Sequence, residues 1–185
     1  MPSPALTAWS TSSAAALSQL QAHRAVGGAR ALQLHYAYVL LLCAHFQAYC
    51  RGLHEDATQL LVEASDPVTA AVLATNLSFA RQLDHGNAQP SALGADFGRL
   101  RLEFWAVVQA ADTRNTARQR KLEELNAWRN AIAHHDIERH RADLNPHTVT
   151  LAACNTWHSA MNGLAESFDR VLADHLERLL GTRPW

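Results

Sequence analysis

The chain has 185 residues, of which 48% are apolar and 18% charged, with a formal net charge of -1. That length is enough for one domain with a buried core and demands no second one. The balance excludes a disordered chain and a surface that captures polyanions by bulk charge, so any contact with nucleic acid has to be local.

Cysteine and arginine usage narrow the setting. Cys43, Cys50 and Cys154 are odd in number, widely spaced and set in apolar helical stretches, so they read as small core residues in a reducing compartment. Fifteen of the sixteen basic residues are arginine, the side chain that forks onto phosphate oxygens, although a codon bias in the source genome would enrich it equally. The opening "MPSPALTAWSTSSAAALSQL" lacks the basic and continuously apolar regions of a secretory leader, and the most apolar segment, residues 31–50, is interrupted by Gln33, His35, His45 and Gln47. The expectation is a soluble cytoplasmic protein without a membrane span.

Alternating strand patterns are nearly absent, and the expected class is all-α, an antiparallel bundle of about five to six helices. A first helix is predicted over 4–25, ended by Gly27 and Gly28. Residues 1–28 form an N-terminal helical extension to a helical domain at 29–185. A long second helix, the spine, is predicted over 29–64 with Leu34, Ala37, Leu41, Ala44 and Ala48 at helical spacing and Gly52 as a bend. "SDPVTAAVL" restarts a helix, because Ser65 or Asp66 can cap free amides and Pro67 sits where its missing N–H costs nothing. A long loop is expected over 84–94, then a helix over 97–111 with Leu100, Phe104, Val107 and Val108 on one face. A further helix is predicted over 116–135, a break at "DLNPHT", and a last helix over 148–180 with a long apolar stripe.

One segment stands apart. "AWRNAIAHHD", residues 127–136, places Arg129, Asn130, His134 and His135 at the end of an otherwise ordinary helix. Residues four apart share a helix face, so Asn130 and His134 project together, and the long Arg129 side chain can reach round from the neighbouring face. Arginine binds phosphate oxygens and stays charged, while an imidazole can take and return a proton near neutral pH. These are the parts needed to cleave RNA with its own 2′-hydroxyl, a reaction that requires no metal or other cofactor. Arginine and histidine near a helix C-terminus are also what the helix dipole favours, so spacing alone leaves a purely structural reading open.

The segment "RNAIAHH" resembles the R-N-x-x-x-H form of the R-x(4–6)-H signature of the HEPN superfamily, with Arg129 and Asn130 opening it and His134 closing it; His135 satisfies the same range. The order of elements is similar too: a long helix containing "LLLCAHFQAYCRGL", a segment ending in "ADFGRLRLEFW", the motif helix, then a long last helix. The likeness is to HEPN domains of the RiboL-PSP-HEPN and related nuclease type and covers roughly residues 30–180. It implies a helical domain that dimerises with its motif helices face to face, forming one cleft for metal-independent endoribonuclease activity in toxin–antitoxin, phage-defence or RNA-processing systems. Carried over, Arg129 would bind and polarise the scissile phosphate, His134 would do acid–base work, Asn130 would orient the pocket and His135 would support it, leaving 2′,3′-cyclic phosphate ends. Asp136 stands where members paired with nucleotidyltransferase antitoxins often carry tyrosine, which argues against that partner. Gln47 stands where several members carry glutamate. Some HEPN domains are inactive dimers that bind nucleotide, RNA or a protein partner, and that alternative is carried alongside.

Before the motif, "TRNTARQRK" places Arg114, Arg118, Arg120 and Lys121 where they could extend an RNA footprint, or form a solvated helix start. Eleven histidines raise a metal reading, yet no two are three or four apart, and only His134 with Glu138 makes a tempting pair. No metal is expected. Serine-hydrolase and glycine-rich phosphate-loop motifs are absent, and Trp105, Trp128 and Trp157 recur at core spacing.

Overall fold

The computed structural model describes residues 1–25 and 27–185, and among them the protein is all-helical, with eight α-helices and one 3₁₀ turn. Helix α1 spans Pro4–Ala22, α2 Gly28–Glu63, α3 Pro67–Ser78, α4 Pro90–Gly98, α5 Phe104–Ala111, α6 Asn115–Ala133, α7 Ile137–His140 and α8 Leu151–Leu180; the 3₁₀ turn is Gln82–Asp84. No helix among the described residues is long and apolar enough to cross a membrane.

Local chemistry sets several of these starts. Ser3 Oγ accepts the Leu6 N–H at 3.0 Å ahead of Pro4, and the Asp66 carboxylate accepts the Val68 and Thr69 N–H groups at 3.0 and 3.2 Å ahead of Pro67. Thr150 caps α8 through Ala153, and Gly181, at φ +76°, ends it in the left-handed conformation. Gly52 does not interrupt α2, which runs through it as one 36-residue helix.

Helix α2 is the spine, burying Val39, Leu42, Phe46, Cys50 and Leu53 against α1, α6 and α8. Trp9 of α1 inserts between α2 and α8: its ring meets Phe46 at 5.4 Å, and Nε1 donates to Asn162 Oδ1 at 3.0 Å. A second aromatic chain stacks Phe97 on Phe104 at 4.4 Å, and Phe104 meets Phe168 at 4.8 Å, which in turn reaches Phe46. Five of the helices, α1, α2, α4, α5 and α8, thereby share one continuous core.

Two expectations need correction. The loop expected over 84–94 covers only residues 85–89, because Pro90 at the first helical position begins α4. The single helix expected over 97–111 is two, separated at 99–103 with Arg101 at φ +61°. Tertiary bonds take the backbone groups that a continuous helix would need: His175 Nε2 donates to the Leu100 carbonyl at 2.8 Å. Buried Asp96, in the last turn of α4, accepts the Gln82 and Leu83 N–H groups, tying that end to the 3₁₀ turn. The short helix α7 was not foreseen.

Candidate functional site

Helix α6 buries Leu122, Leu125, Trp128 and Ala131, and this face orients everything else on it. Trp128 closes the packing, its Nε1 donating to the Pro146 carbonyl at 3.0 Å and its ring meeting Tyr36 of α2 at 6.1 Å. Arg129 and Asn130 follow Trp128 and are therefore half-buried at the edge of the core, whereas His134 is exposed.

The helix ends one residue before His134. His135 adopts φ +56°, its N–H donates to the Ile132 carbonyl at 3.3 Å, and the Asp136 N–H reaches back to Ala131 at 2.9 Å. This pair of bonds is the Schellman termination, usually built on glycine, here built on a histidine. The reversal breaks the helical relation between His134 and Glu138, so the pair considered for a metal is not one turn apart. Among the described residues no group of three or more histidine, cysteine or acidic side chains is arranged to hold a metal ion.

Asn130 is the pivot of the cluster. Its Oδ1 accepts from Arg129 Nη1 at 3.2 Å and from Asn87 Nδ2 at 2.7 Å. Asn87 lies in the 85–89 loop, which is held by two further bonds of its own and by one to the 3₁₀ turn before it. Gln47 Nε2 donates to the carbonyls of Leu83, at 2.9 Å, and Gly86, and Asn126 Nδ2 donates to that of Ala88 at 3.1 Å. Gln47 thus supports the motif through the loop backbone rather than as an acidic partner of Arg129. The Arg129 guanidinium also reaches toward α2, where burial pushes the Cys43 thiol up to about 12 and the nearby positive charge works against that rise.

Beside this cluster lies a cavity of about 330 Å³. Asn130, His134, Asp136, His140 and Asp143 supply its polar wall, and Ala127, Ala131 and Leu144 its apolar one. Arg129 flanks the cavity through its bond to Asn130, and His135 is exposed on the turn without lining it.

The basic tract sits elsewhere. It opens the same helix, about 12–22 Å along the axis from Arg129 at 1.5 Å per residue. Arg114 and Arg118 share Asp112, at 2.8 and 2.9 Å, and hold its carboxyl well below the usual carboxylate range. Arg118 also donates to Asn115 Oδ1 at 2.8 Å and lies across Gly163 of α8. Lys121 pairs with Glu124 at 2.8 Å, and Arg120 is exposed. The motif residues are therefore gathered at one end of α6, while three of these four cations are engaged in ion pairs at and beyond its start.

Sequence reasoning missed Asn87, His140 and Asp143. Asn87 is 43 residues from Asn130, and His140 is six from His134, a separation without meaning on one helix; only the reversal at His135 gives it one. Compared with known proteins, the chain matches no protein-family model, no curated protein and no solved structure.

Proposed function

We propose that the protein is an endoribonuclease that works as a homodimer, with Arg129 and His134 as the catalytic pair and Asn130 holding the arginine. The observation that carries this reading is the Arg129–Asn130–Asn87 hydrogen-bonded array next to the exposed imidazole of His134. An arginine whose fork is steered by an amide is prepared for a phosphate, and an exposed imidazole with no hydrogen-bond partner among the described residues is free to exchange a proton.

In the proposed reaction an imidazole removes the 2′-hydroxyl proton, the 2′-oxygen attacks phosphorus, and the bond to the 5′-oxygen breaks as that oxygen takes a proton from a protonated imidazole. The products are a 2′,3′-cyclic phosphate and a 5′-hydroxyl. Arginine neutralises the charge that grows on the non-bridging oxygens. One histidine per subunit cannot hold both protonation states at once, so a two-fold cleft containing two copies of the motif suits the chemistry. Leu40 of α2 is 37% exposed and offers apolar surface to a second copy. A role in a toxin–antitoxin or phage-defence system goes with this reading.

The test is incubation of wild type, Arg129→Ala and His134→Ala with total cellular RNA in EDTA, followed by analysis of fragment ends and of oligomeric state. Cyclic-phosphate ends from wild type, lowered about 100-fold or more in either variant, are the expected result. Absence of cleavage by a folded wild-type dimer, or equal cleavage by all three proteins, refutes the catalytic assignment and leaves the binding-module alternative.

A further inference from the structure

The cavity next to the motif has a chemistry of its own. Two acidic side chains on its wall, Asp136 and Asp143, make it a poor place for a phosphate, which would face repulsion there and is better placed on the Arg129 side of Asn130. What the wall offers is acceptors in quantity. Neither carboxyl group accepts a hydrogen bond or joins an ion pair among the described residues, although Asp136 is half-buried. Asn130 adds the opposite function: its Oδ1 is fully engaged by Arg129 and Asn87, which leaves Nδ2 as the free, donating end of the amide.

We propose that this cavity is a nucleobase pocket that selects guanine. A base edge complementary to one donor beside carboxylate acceptors must present one acceptor beside donors. Among the four RNA bases only guanine does so in full, with O6 for the amide N–H and the adjacent N1–H and N2–H₂ for a carboxylate. Adenine and cytosine present a single exocyclic amine next to a ring acceptor. Uracil presents one N–H between two carbonyls, both of which a carboxylate would repel. Ala127, Ala131 and Leu144 give the flat ring an apolar surface, and the exposed His140 ring is placed to stack on a base extruded from a single strand. The volume of about 330 Å³ is large enough to admit one base.

The inference rests on the ribonuclease reading for the strand that delivers the base, and its test is separable from that reading. The probes are 5′-labelled 2′-O-methyl heptamers, all-uridine or with one central guanosine or inosine, titrated by fluorescence anisotropy. The methyl group blocks the attacking oxygen, so binding is read without cleavage. The guanosine heptamer is expected to bind at least about tenfold more tightly than the all-uridine one, with inosine, which lacks the N2 amine, in between. Asp143→Ala and Asp136→Asn each bring the guanosine heptamer toward the all-uridine affinity. Equal affinities for the heptamers, or a preference that survives both substitutions, overturn the pocket. Cleavage of cellular RNA with no enrichment of guanosine beside the cut overturns it too while leaving the ribonuclease standing; guanosine-selective binding without any cleavage does the reverse.

Discussion

Gly163 on α8 offers a decisive perturbation, because its effect should change sign with the residue facing it. A Cβ at Gly163 would fall 2.6 Å from Arg118 Nη2 and closer still to Nε and Cζ. The guanidinium ends a flexible side chain, so the steric clash itself is cheap; what Gly163→Ala removes is the set of bonds made by that guanidinium. Those are the ion pair to Asp112 at 2.9 Å and the bond to Asn115 Oδ1 at 2.8 Å, from a side chain only 18% exposed. Bonds to charged groups contribute about 1.5–3 kcal/mol each, and the lower end applies because Asp112 keeps Arg114, so the loss is about 3 kcal/mol. Replacing glycine by alanine inside a helix returns about 1 kcal/mol. The net is a destabilisation of about 2 kcal/mol, or roughly 4–8 °C in melting temperature for a chain of this size. In an Arg118→Ala background the three atoms nearest that Cβ are gone, and the same substitution should stabilise by about 1 kcal/mol. Urea denaturation of the four proteins in a double-mutant cycle measures both signs, with a coupling of about 3 kcal/mol. A neutral or stabilising Gly163→Ala in wild type, or the same sign in both backgrounds, refutes the assignment of Arg118 to a structural bridge.

Two further predictions concern the motif turn and the buried histidines. His135→Gly should raise stability by about 0.5–1 kcal/mol, since glycine occupies the left-handed position without the Cβ penalty, while retaining the RNA cleavage that His134→Ala loses; loss of cleavage in a stable His135→Gly protein would transfer the acid–base role to His135. Burial lowers the His54 and His158 values, so the unfolded chain binds protons that the folded one refuses, and stability is complete above about pH 6.5 and falls as pH drops below it. Urea midpoints at pH 7.5 and 5.5 should show that fall, by at most about 1.4 kcal/mol per pH unit for each histidine, and His158→Gln should flatten it; an unchanged slope in the variant would remove His158 from the account.

The elements legible from sequence are those whose ends are set locally. Ser3–Pro4 and Asp66–Pro67 begin helices where a capping oxygen and a proline say they should, and the last helix stops at Gly181. The split at 99–103 was hidden, because Leu100, Phe104 and Val108 keep helical spacing across it. The competing bonds come from His175, 75 residues away, and from the 3₁₀ turn that holds Asp96. The motif was equally visible, in that Arg129, Asn130 and His134 do lie at one end of α6. Its surroundings were not, since Asn87 arrives from a loop and His140 with Asp143 from beyond a reversal carried by a non-glycine residue. The basic tract looked like a footprint because Asp112 and Gly163, which occupy Arg118, are remote from it in character or in sequence.

Gln47 has a bearing on how the motif could be transplanted. Its one amide nitrogen feeds the carbonyls of Leu83 and Gly86, a task no ionised carboxylate can perform, so a glutamate at 47 would set like partial charges against each other and leave the 85–89 loop held by Asn126 through Ala88. The Asn87–Asn130 bond would lose part of its support, and with it the array that steers Arg129. A helix carrying "RNAIAHH" grafted onto another scaffold would therefore bring the letters of the motif without its bearing: the recipient must also supply an amide-bearing spine helix and a five-residue loop of matching length. The portable unit is three pieces of chain spread over nearly ninety positions.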